Sequence, residues 1–281
     1  IGLGIPAEPL FRSSIENTST DSRTATITVK ADNLQQNIKV TQAGADVIDE
    51  STKTFTVNGV TFKMIRVDSG TFTMGATSEQ GSDAFDDEKP THRVTLSTYY
   101  MGETEVTQDL WTAVMGNNPS YYTGWQRPVE RVSWYDCQDF LTMLNSLTGQ
   151  QFRLPTEAEW EFAARGGNMS LGYKYSGSNN IDNVAWYYEN SAETTHNVAQ
   201  KSPNELGLYD MSGNVWEWCQ DWYGNYSSSS QTNPKGPSSG TKRVHRGGSL
   251  TLKSIGCRVS YRVDNAPGRT FTNLGFRLAL I

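Results

Sequence analysis

Along the chain the spacing of apolar positions changes several times, and each change marks a predicted element. In Ala25-Thr26-Ile27-Thr28-Val29-Lys30 and Asn37-Ile38-Lys39-Val40-Thr41, apolar and polar residues alternate. That period of two predicts two half-buried strands, and Asp32-Asn33 between them suits a hairpin-type turn. Ser133-Trp134-Tyr135-Asp136 reads as a capping box with Asp in the fourth place. Behind it Cys137, Phe140, Leu141, Leu144 and Leu147 follow helical spacing as far as Gly149. Thr156-Glu157-Ala158-Glu159 after Pro155 opens a second helix through Arg165, stopped by Gly166-Gly167. A shorter helix runs from Thr107 to near Gly116. Phe62–Val67, Arg93–Met101 and Phe276–Leu280 read as short strands. Residues 166–208 and 223–243 lack periodicity, and ordered loops of that length are usually functional or held by ions.

Composition divides the chain. Residues 1–50 contain no Trp, Tyr or Cys and are rich in Ser, Thr, Asn and Gln, whereas all eight tryptophans lie beyond residue 55. We therefore expect an all-β segment at 1–45, a linker at 46–55 and a main domain at 56–281. No apolar stretch approaches a membrane span. A net charge of −6 without a Lys/Arg block argues against a nucleic-acid grip. Three cysteines make no disulfide framework, and none has zinc-finger spacing. The chain opens at Ile1 without an initiator Met or a signal peptide, as expected of an excised or processed fragment.

Eight motifs follow in order. They are Gly70-Thr71-Phe72-Thr73-Met74-Gly75, Gly102-Glu103-Thr104-Glu105-Val106-Thr107 and Pro128-Val129-Glu130-Arg131-Val132-Ser133-Trp134, then Arg153-Leu154-Pro155-Thr156-Glu157-Ala158-Glu159-Trp160-Glu161. Gly207-Leu208-Tyr209-Asp210-Met211, Gly213-Asn214-Val215-Trp216-Glu217-Trp218, Arg246-Gly247-Gly248-Ser249 and Gly275-Phe276-Arg277 complete the set. Together they resemble the formylglycine-generating enzyme (sulfatase-modifying factor) family over residues 56–281. The resemblance implies an α+β, loop-rich, C-type-lectin-like fold with two main helices and small sheets. The preceding all-β segment, ending Val40-Thr41-Gln42-Ala43-Gly44, is similar to the second half of a BACON domain. By resemblance, that start places the protein outside the cell or at its surface, as a lipoprotein with its leader removed or a phage-borne protein.

The enzyme of this family oxidises a substrate cysteine with dioxygen, through a copper-binding cysteine pair after the Gly-Gly-Ser motif. Two close thiolates suit Cu(I). Here that segment reads Ser249-Leu250-Thr251-Leu252-Lys253-Ser254-Ile255-Gly256-Cys257-Arg258. Leu252 takes the first thiol's place, and Cys257 falls on either the second thiol's position or a non-catalytic one, depending on the end counted from. On both counts the pair is missing, so no copper is expected. His92, His196 and His245 form no metal-binding pattern, and no nucleophilic triad, phosphate loop or dinucleotide fingerprint is present. A structural calcium ion is expected instead. Asp210, Gly213, Val215 and Glu217 match the positions where the family supplies two side-chain and two backbone oxygens, a donor set that Ca²⁺ favours. The alternative reading has Asp210 capping a turn and Glu217 pairing with an arginine. A second family site would use Asn183 and the Val184 carbonyl, but its acidic half has no counterpart near Thr194–Val198.

Towards the C-terminus, Arg246-Gly247-Gly248-Ser249, Cys257-Arg258-Val259-Ser260, Arg262 and Asn273–Leu278 read as fixed motifs. Between them Thr251, Leu252, Lys253, Ile255, Gly256 and Tyr261 obey no helix or strand period. Neither do Val263, Ala266, Gly268, Thr270, Phe271 and Thr272. This layout is similar to the variable region of proteins diversified by retroelements, where randomised codons exclude Met, Trp, Gln, Lys and Glu. From Leu250 to Thr272 those types are represented by Lys253 alone. The twelve residues are expected to form a ligand-binding surface, with Leu252, Tyr261, Val263 and Phe271 making an exposed apolar patch. The expected function is a non-catalytic, lectin-like binder of a protein or glycan on another cell or phage host. The alternative is a metal-dependent oxidoreductase of the same family with an altered site.

Overall fold

The computed structural model describes residues 21–31, 34–42 and 50–281, and the chain divides into two compact units, 1–50 and 51–281. In the first, strands β1 (Arg23–Ala31) and β2 (Leu34–Gln42) pair antiparallel, with Ala25 opposite Val40 and Ile27 opposite Ile38. The turn expected at Asp32-Asn33 lies outside the described residues. Ile38 and Val40 are about half exposed rather than half-buried on a core. Among the described residues of this unit the two strands supply no second layer to cover an apolar face.

The second unit begins with β3 (Thr52–Val57) and β4 (Val60–Val67), joined at Asn58-Gly59 with φ of 47° and 87°. Positive φ at both positions is the type I′ hairpin turn that Asn-Gly favours. Residues 52–55 thus belong to the domain and not to the expected linker. Next come β5 (Gly70–Met74), β6 (His92–Leu96) and β7 (Tyr99–Gly102). The single strand expected over Arg93–Met101 is broken at Ser97-Thr98. Its halves join different sheets, β6 pairing antiparallel with β5 and β7 with β4.

Three helices follow where capping chemistry places them. They are α1 (Gln108–Met115) with N-cap Thr107, α2 (Trp134–Thr148) with N-cap Ser133, and α3 (Glu157–Ala164) with N-cap Thr156. Gly116 and Gly149 close the first two in the left-handed conformation, as C-terminal glycines do. The chain then forms β8 (Trp216–Trp222), β9 (Gln231–Thr232), β10 (Arg243–Arg246), β11 (Arg262–Asn265), β12 (Leu274–Gly275) and β13 (Ala279–Leu280). Strands β11-β10-β8-β12 make the third sheet of this unit. Residues Trp216–Cys219 are all buried, so β8 shows no alternation and escaped the sequence reading. Of the strand expected over Phe276–Leu280 only β13 forms, β12 ending at Gly275 before it, and Val263 lies in β11 rather than in an aperiodic loop.

One core cluster lies around α1 and α2, from Leu110, Trp111, Phe140 and Leu144 to Trp216, Trp218 and Phe276. A second surrounds α3, with Trp160, Phe162, Tyr99 and Cys219. The motif tryptophans pack as core and donate their ring N–H across elements: Trp134 to the Cys219 carbonyl at 3.1 Å and Trp218 to that of Val132 at 3.1 Å. Among the described residues no helix is long and apolar enough to cross a membrane.

Candidate ligand-recognition surface

The C-terminal segment is held by four buried arginines, each matched to a glutamate from elsewhere. Arg262 bonds Glu157 through Nε–Oε1 and Nη2–Oε2, both 2.7 Å. Its cross-strand neighbour Arg246 pairs with Glu161, one helical turn beyond Glu157 on α3, and donates to the Ser260 and Tyr261 carbonyls at 2.6 and 2.7 Å. Arg258 grips Glu88 at 2.5 and 2.8 Å, and Arg277 grips Glu217 at 2.6 Å twice. Fork-on-carboxylate geometry of this kind fixes orientation as well as charge. Burial raises the Glu157 carboxyl, but the Arg262 and Arg246 charges outweigh it and hold the group below the ordinary carboxylate range. The turn into the segment demands glycine. A Cβ on Gly248, whose φ is +75°, would lie 2.4 Å from the Gly256 carbonyl oxygen.

Between these anchors most of the expected surface residues face solvent. Thr251, Lys253, Ile255, Ala266, Gly268, Thr270 and Phe271 are exposed. Leu252, Tyr261, Val263 and Thr272 are half-buried, and Gly256 is buried beneath Leu252. The expected apolar patch is not formed. Leu252, Tyr261 and Val263 pack against the first core cluster, which leaves Phe271, 42% exposed, as the patch's one exposed member. Phe271 lines a hollow of about 450 Å³ with Arg131, Thr251, Thr270, Thr272 and Asn273. Asn273 Nδ2 donates to Ser249 Oγ and Thr251 Oγ1, both at 2.9 Å, and so ties the hollow's two chain segments together. The Arg131 N–H donates to the Phe271 carbonyl at 3.0 Å.

Arg131, which the sequence places in a fixed motif, lines this hollow. Nothing local in the sequence marks it: Val129, Glu130 and Val132 are buried while Arg131 is exposed, with φ of +61°. A larger hollow of about 550 Å³ lies under loop 224–237, with His92, Asp221 and Tyr226 in its wall. Burial first, and the Glu157 charge second, push Asp221 up to about 8.

The expected calcium ligands lie together in a buried carboxylate group. Asp210 Oδ2 accepts the Ala199 N–H at 2.8 Å, while Oδ1 is buried without a partner, as a cation ligand would be. Glu217 does not fit as a free ligand. Both its oxygens accept from Arg277, and Oε2 also accepts from Trp160 Nε1 at 2.7 Å, so the arginine alternative describes this residue. Gly213 and Val215 use their N–H groups on the Gly247 carbonyl and on Glu105 Oε1. Among the described residues no three His, Cys, Asp or Glu side chains are placed to hold a metal ion between them. Asn183 is exposed, and its carbonyl accepts the Ser202 N–H at 2.9 Å.

Cys137, Cys219 and Cys257 are free, fully buried and distributed over three different core clusters. Burial pushes the Cys257 thiol up to about 12 and the other two well above their ordinary value. His92 and His245 are buried, and His245 Nε2 lies 2.9 Å from Asn265 Nδ2.

Residues 50–280 match the model of the sulfatase-modifying factor enzyme 1-like domain. The chain belongs to that family. Residues 15–43 match BACON, a putative binding domain. The chain is 37% identical over 218 residues to chaperone protein LppX of Paenibacillus barcinonensis, covering 60% of this chain and 75% of the relative. It is 30% identical to the formylglycine-generating enzyme of Streptomyces coelicolor, covering 76% and 88%. Among solved structures, Treponema denticola variable protein 1 superposes with a TM-score of 0.74 at 38% identity, over 82% of this chain and 98% of that one. The α+β, loop-rich, C-type-lectin-like fold and both expected resemblances are thereby established.

Proposed function

We propose that this protein is a non-catalytic ligand binder, displaying the 251–272 segment as its recognition surface. The observation that carries the reading is the contrast within that segment. Arg246, Arg258, Arg262 and Arg277 are locked in buried ion pairs, while seven of the twelve expected surface residues, Thr251, Lys253, Ile255, Ala266, Gly268, Thr270 and Phe271, are exposed. A rigid frame around solvent-facing positions tolerates sequence change at those positions. The likeness to Treponema denticola variable protein 1 and the codon-class depletion after Leu250 support diversification by a retroelement. The buried state of all three thiols supports the non-catalytic reading. The partner is a protein or glycan on another cell or phage host. The BACON match and the likeness to LppX support an extracellular or cell-surface place, as a lipoprotein or a phage-borne protein.

A structural Ca²⁺ belongs to the same proposal. Glu105, Asp210 and Glu217 are buried together with the guanidinium of Arg277; burial first pushes the Glu105 carboxyl well above its ordinary range and Asp210 up to about 6, and a divalent cation would favour their ionised forms. Asp210 and the Gly213 and Val215 carbonyls would hold it. When bound, the ion supplies charge neutralisation and loop bracing.

The test is a binding screen over a printed array of glycans and host surface proteins. The wild type is set against a variant carrying Thr251→Ala, Thr270→Ala, Phe271→Ala and Thr272→Ala. Binding that is lost in the variant, with an unchanged melting curve, supports the reading; binding retained in full rejects it. The 30% identity to the Streptomyces enzyme favours a second reading, an oxidoreductase with an altered site. Oxygen consumption by copper-loaded protein with a cysteine peptide separates the two. Sequencing the flanking DNA for a near-copy of the 246–280 segment beside a reverse transcriptase gene tests the diversification.

A further inference from the structure

We propose that the hollow beside Phe271 is an acidic-sugar subsite, in which Arg131 takes the anionic substituent of a glycan and Thr251, Thr270 and Thr272 bond its hydroxyls. This rests on the display-surface reading and deepens it by naming the ligand class.

Arg131 is the exception among the arginines of the fixed motifs. Arg153, Arg246, Arg258, Arg262 and Arg277 each pair with a glutamate at close range. The Arg131 guanidinium is exposed and has no ion-pair or hydrogen-bond partner among the described residues. Its neighbour Glu130 makes no ion pair with it: Glu130 Oε1 accepts the Tyr122 N–H at 2.8 Å, and the Arg131 charge acts on that carboxyl only as the smallest of the influences opposing its burial. The backbone at Arg131 stands in the left-handed region, φ +61°, which a non-glycine residue occupies at a cost. An unpaired guanidinium held on a strained backbone, at the lip of a cavity, points to a ligand group that completes it.

The chemistry of the walls narrows the class. Of the six residues lining the hollow, Arg131 is the one charged group. A guanidinium fork matches carboxylate or sulfate oxygens. Three threonine hydroxyls, each donor and acceptor, match the hydroxyls of a sugar. The half-exposed Phe271 ring offers an apolar face for its C–H groups. About 450 Å³ lies within the usual range for small-ligand sites. A protein partner would need an apolar anchor point at the centre of its footprint. Leu252, Tyr261 and Val263 would have supplied it, but they are packed against the core. The rest of the segment is also cationic on its outer side, with Lys253 and Arg269 exposed and its one acid, Asp264, tied to Lys242 at 2.6 Å. Because Arg131 lies outside 251–272, the demand for an anionic group stays constant while the hydroxyl contacts vary.

Isothermal titration with three probes tests this: an oligogalacturonate, a heparin-derived oligosaccharide and a neutral galacto-oligosaccharide. The expected result is binding of an acidic probe roughly tenfold or more tighter than the neutral one. Comparing the first two probes tells carboxylate from sulfate. Arg131→Gly relieves the backbone, so this variant should melt no lower than wild type yet lose roughly tenfold or more in acidic-probe affinity. Equal affinity for acidic and neutral probes, unmoved by Arg131→Gly but abolished by Phe271→Ala, would overturn the subsite while leaving the display surface standing. Failure of both acidic probes to bind overturns the subsite as well, and the array screen then judges the display surface separately.

Discussion

Arg262 and Glu157 lie 105 residues apart in the chain yet meet through two parallel 2.7 Å hydrogen bonds, with side chains 1% and 6% exposed. The pair fastens β11 to the first turn of α3. One helical turn on, Glu161 does the same for Arg246 on the neighbouring strand. The C-terminal segment is thus set in place by charge geometry as well as by the burial of Leu250, Cys257 and Val259. Such pairs are costly to break from one side, because the remaining charge is left buried and unpaired.

Glu157→Ala should therefore destabilise the protein by about 3–5 kcal/mol. For a domain of this size that is a fall in Tm on the order of 10 °C. The double variant Glu157→Leu/Arg262→Met should lose less than either single one. The sign with pH follows from the Glu157 carboxyl being held below its ordinary 4.5. Its stabilisation is present above that pH and is lost as pH falls through the folded value. Thermal melts at pH 7 and pH 3.5 check both points. A Glu157→Ala variant with a wild-type Tm at pH 7 would contradict the clamp.

Asp221 predicts the opposite dependence. Its carboxyl is pushed up to about 8 by burial and by the Glu157 charge. The folded state therefore holds a proton that the unfolded state releases near 4. Stability should fall as pH rises from the acid range towards 8 and then level off. Asp221→Asn keeps an oxygen for the Glu157 N–H and removes the titration. Its Tm should exceed that of wild type at pH 8.5, with the gap closing towards pH 5. A gap that does not change with pH would reject this assignment.

Calcium binding at Asp210 predicts a Tm that rises on adding millimolar Ca²⁺ to chelator-treated protein. In Asp210→Ala that response should vanish. If wild-type melting curves with and without chelator coincide, the site is not there.

Leu252 and Phe271 should separate cleanly despite both being apolar residues of the display segment. Leu252→Ala removes atoms packed against the core and should cost about 1–3 kcal/mol. Thr270→Ala and Phe271→Ala should each shift stability by less than about 1 kcal/mol. Denaturant titrations decide, and equal losses at Leu252 and Thr270 would count against the division between frame and surface.

The helices were legible in the sequence because caps are local. Thr107, Ser133 and Thr156 each accept the backbone N–H three residues on, as their spacing implied. The strands were legible only where one face is wet, so the wholly buried start of β8 was missed. The fixed motifs stood out, but their purpose did not. Nothing local tells that Arg258 answers Glu88, a partner 170 residues away. The same non-local packing turned Leu252, Tyr261 and Val263 inward and left Arg131 outward, which neither periodicity nor composition encodes.

The central claim is a fixed frame around a tolerant surface, and a pair of surface-displayed libraries scored by protease resistance tests it most directly. One library randomises Thr251, Lys253, Ile255, Ala266, Gly268, Thr270, Phe271 and Thr272; the other randomises Arg246, Arg258, Arg262 and Arg277. The account predicts that most members of the first library resist proteolysis as wild type does, while few of the second do. Comparable losses in the two libraries would contradict it.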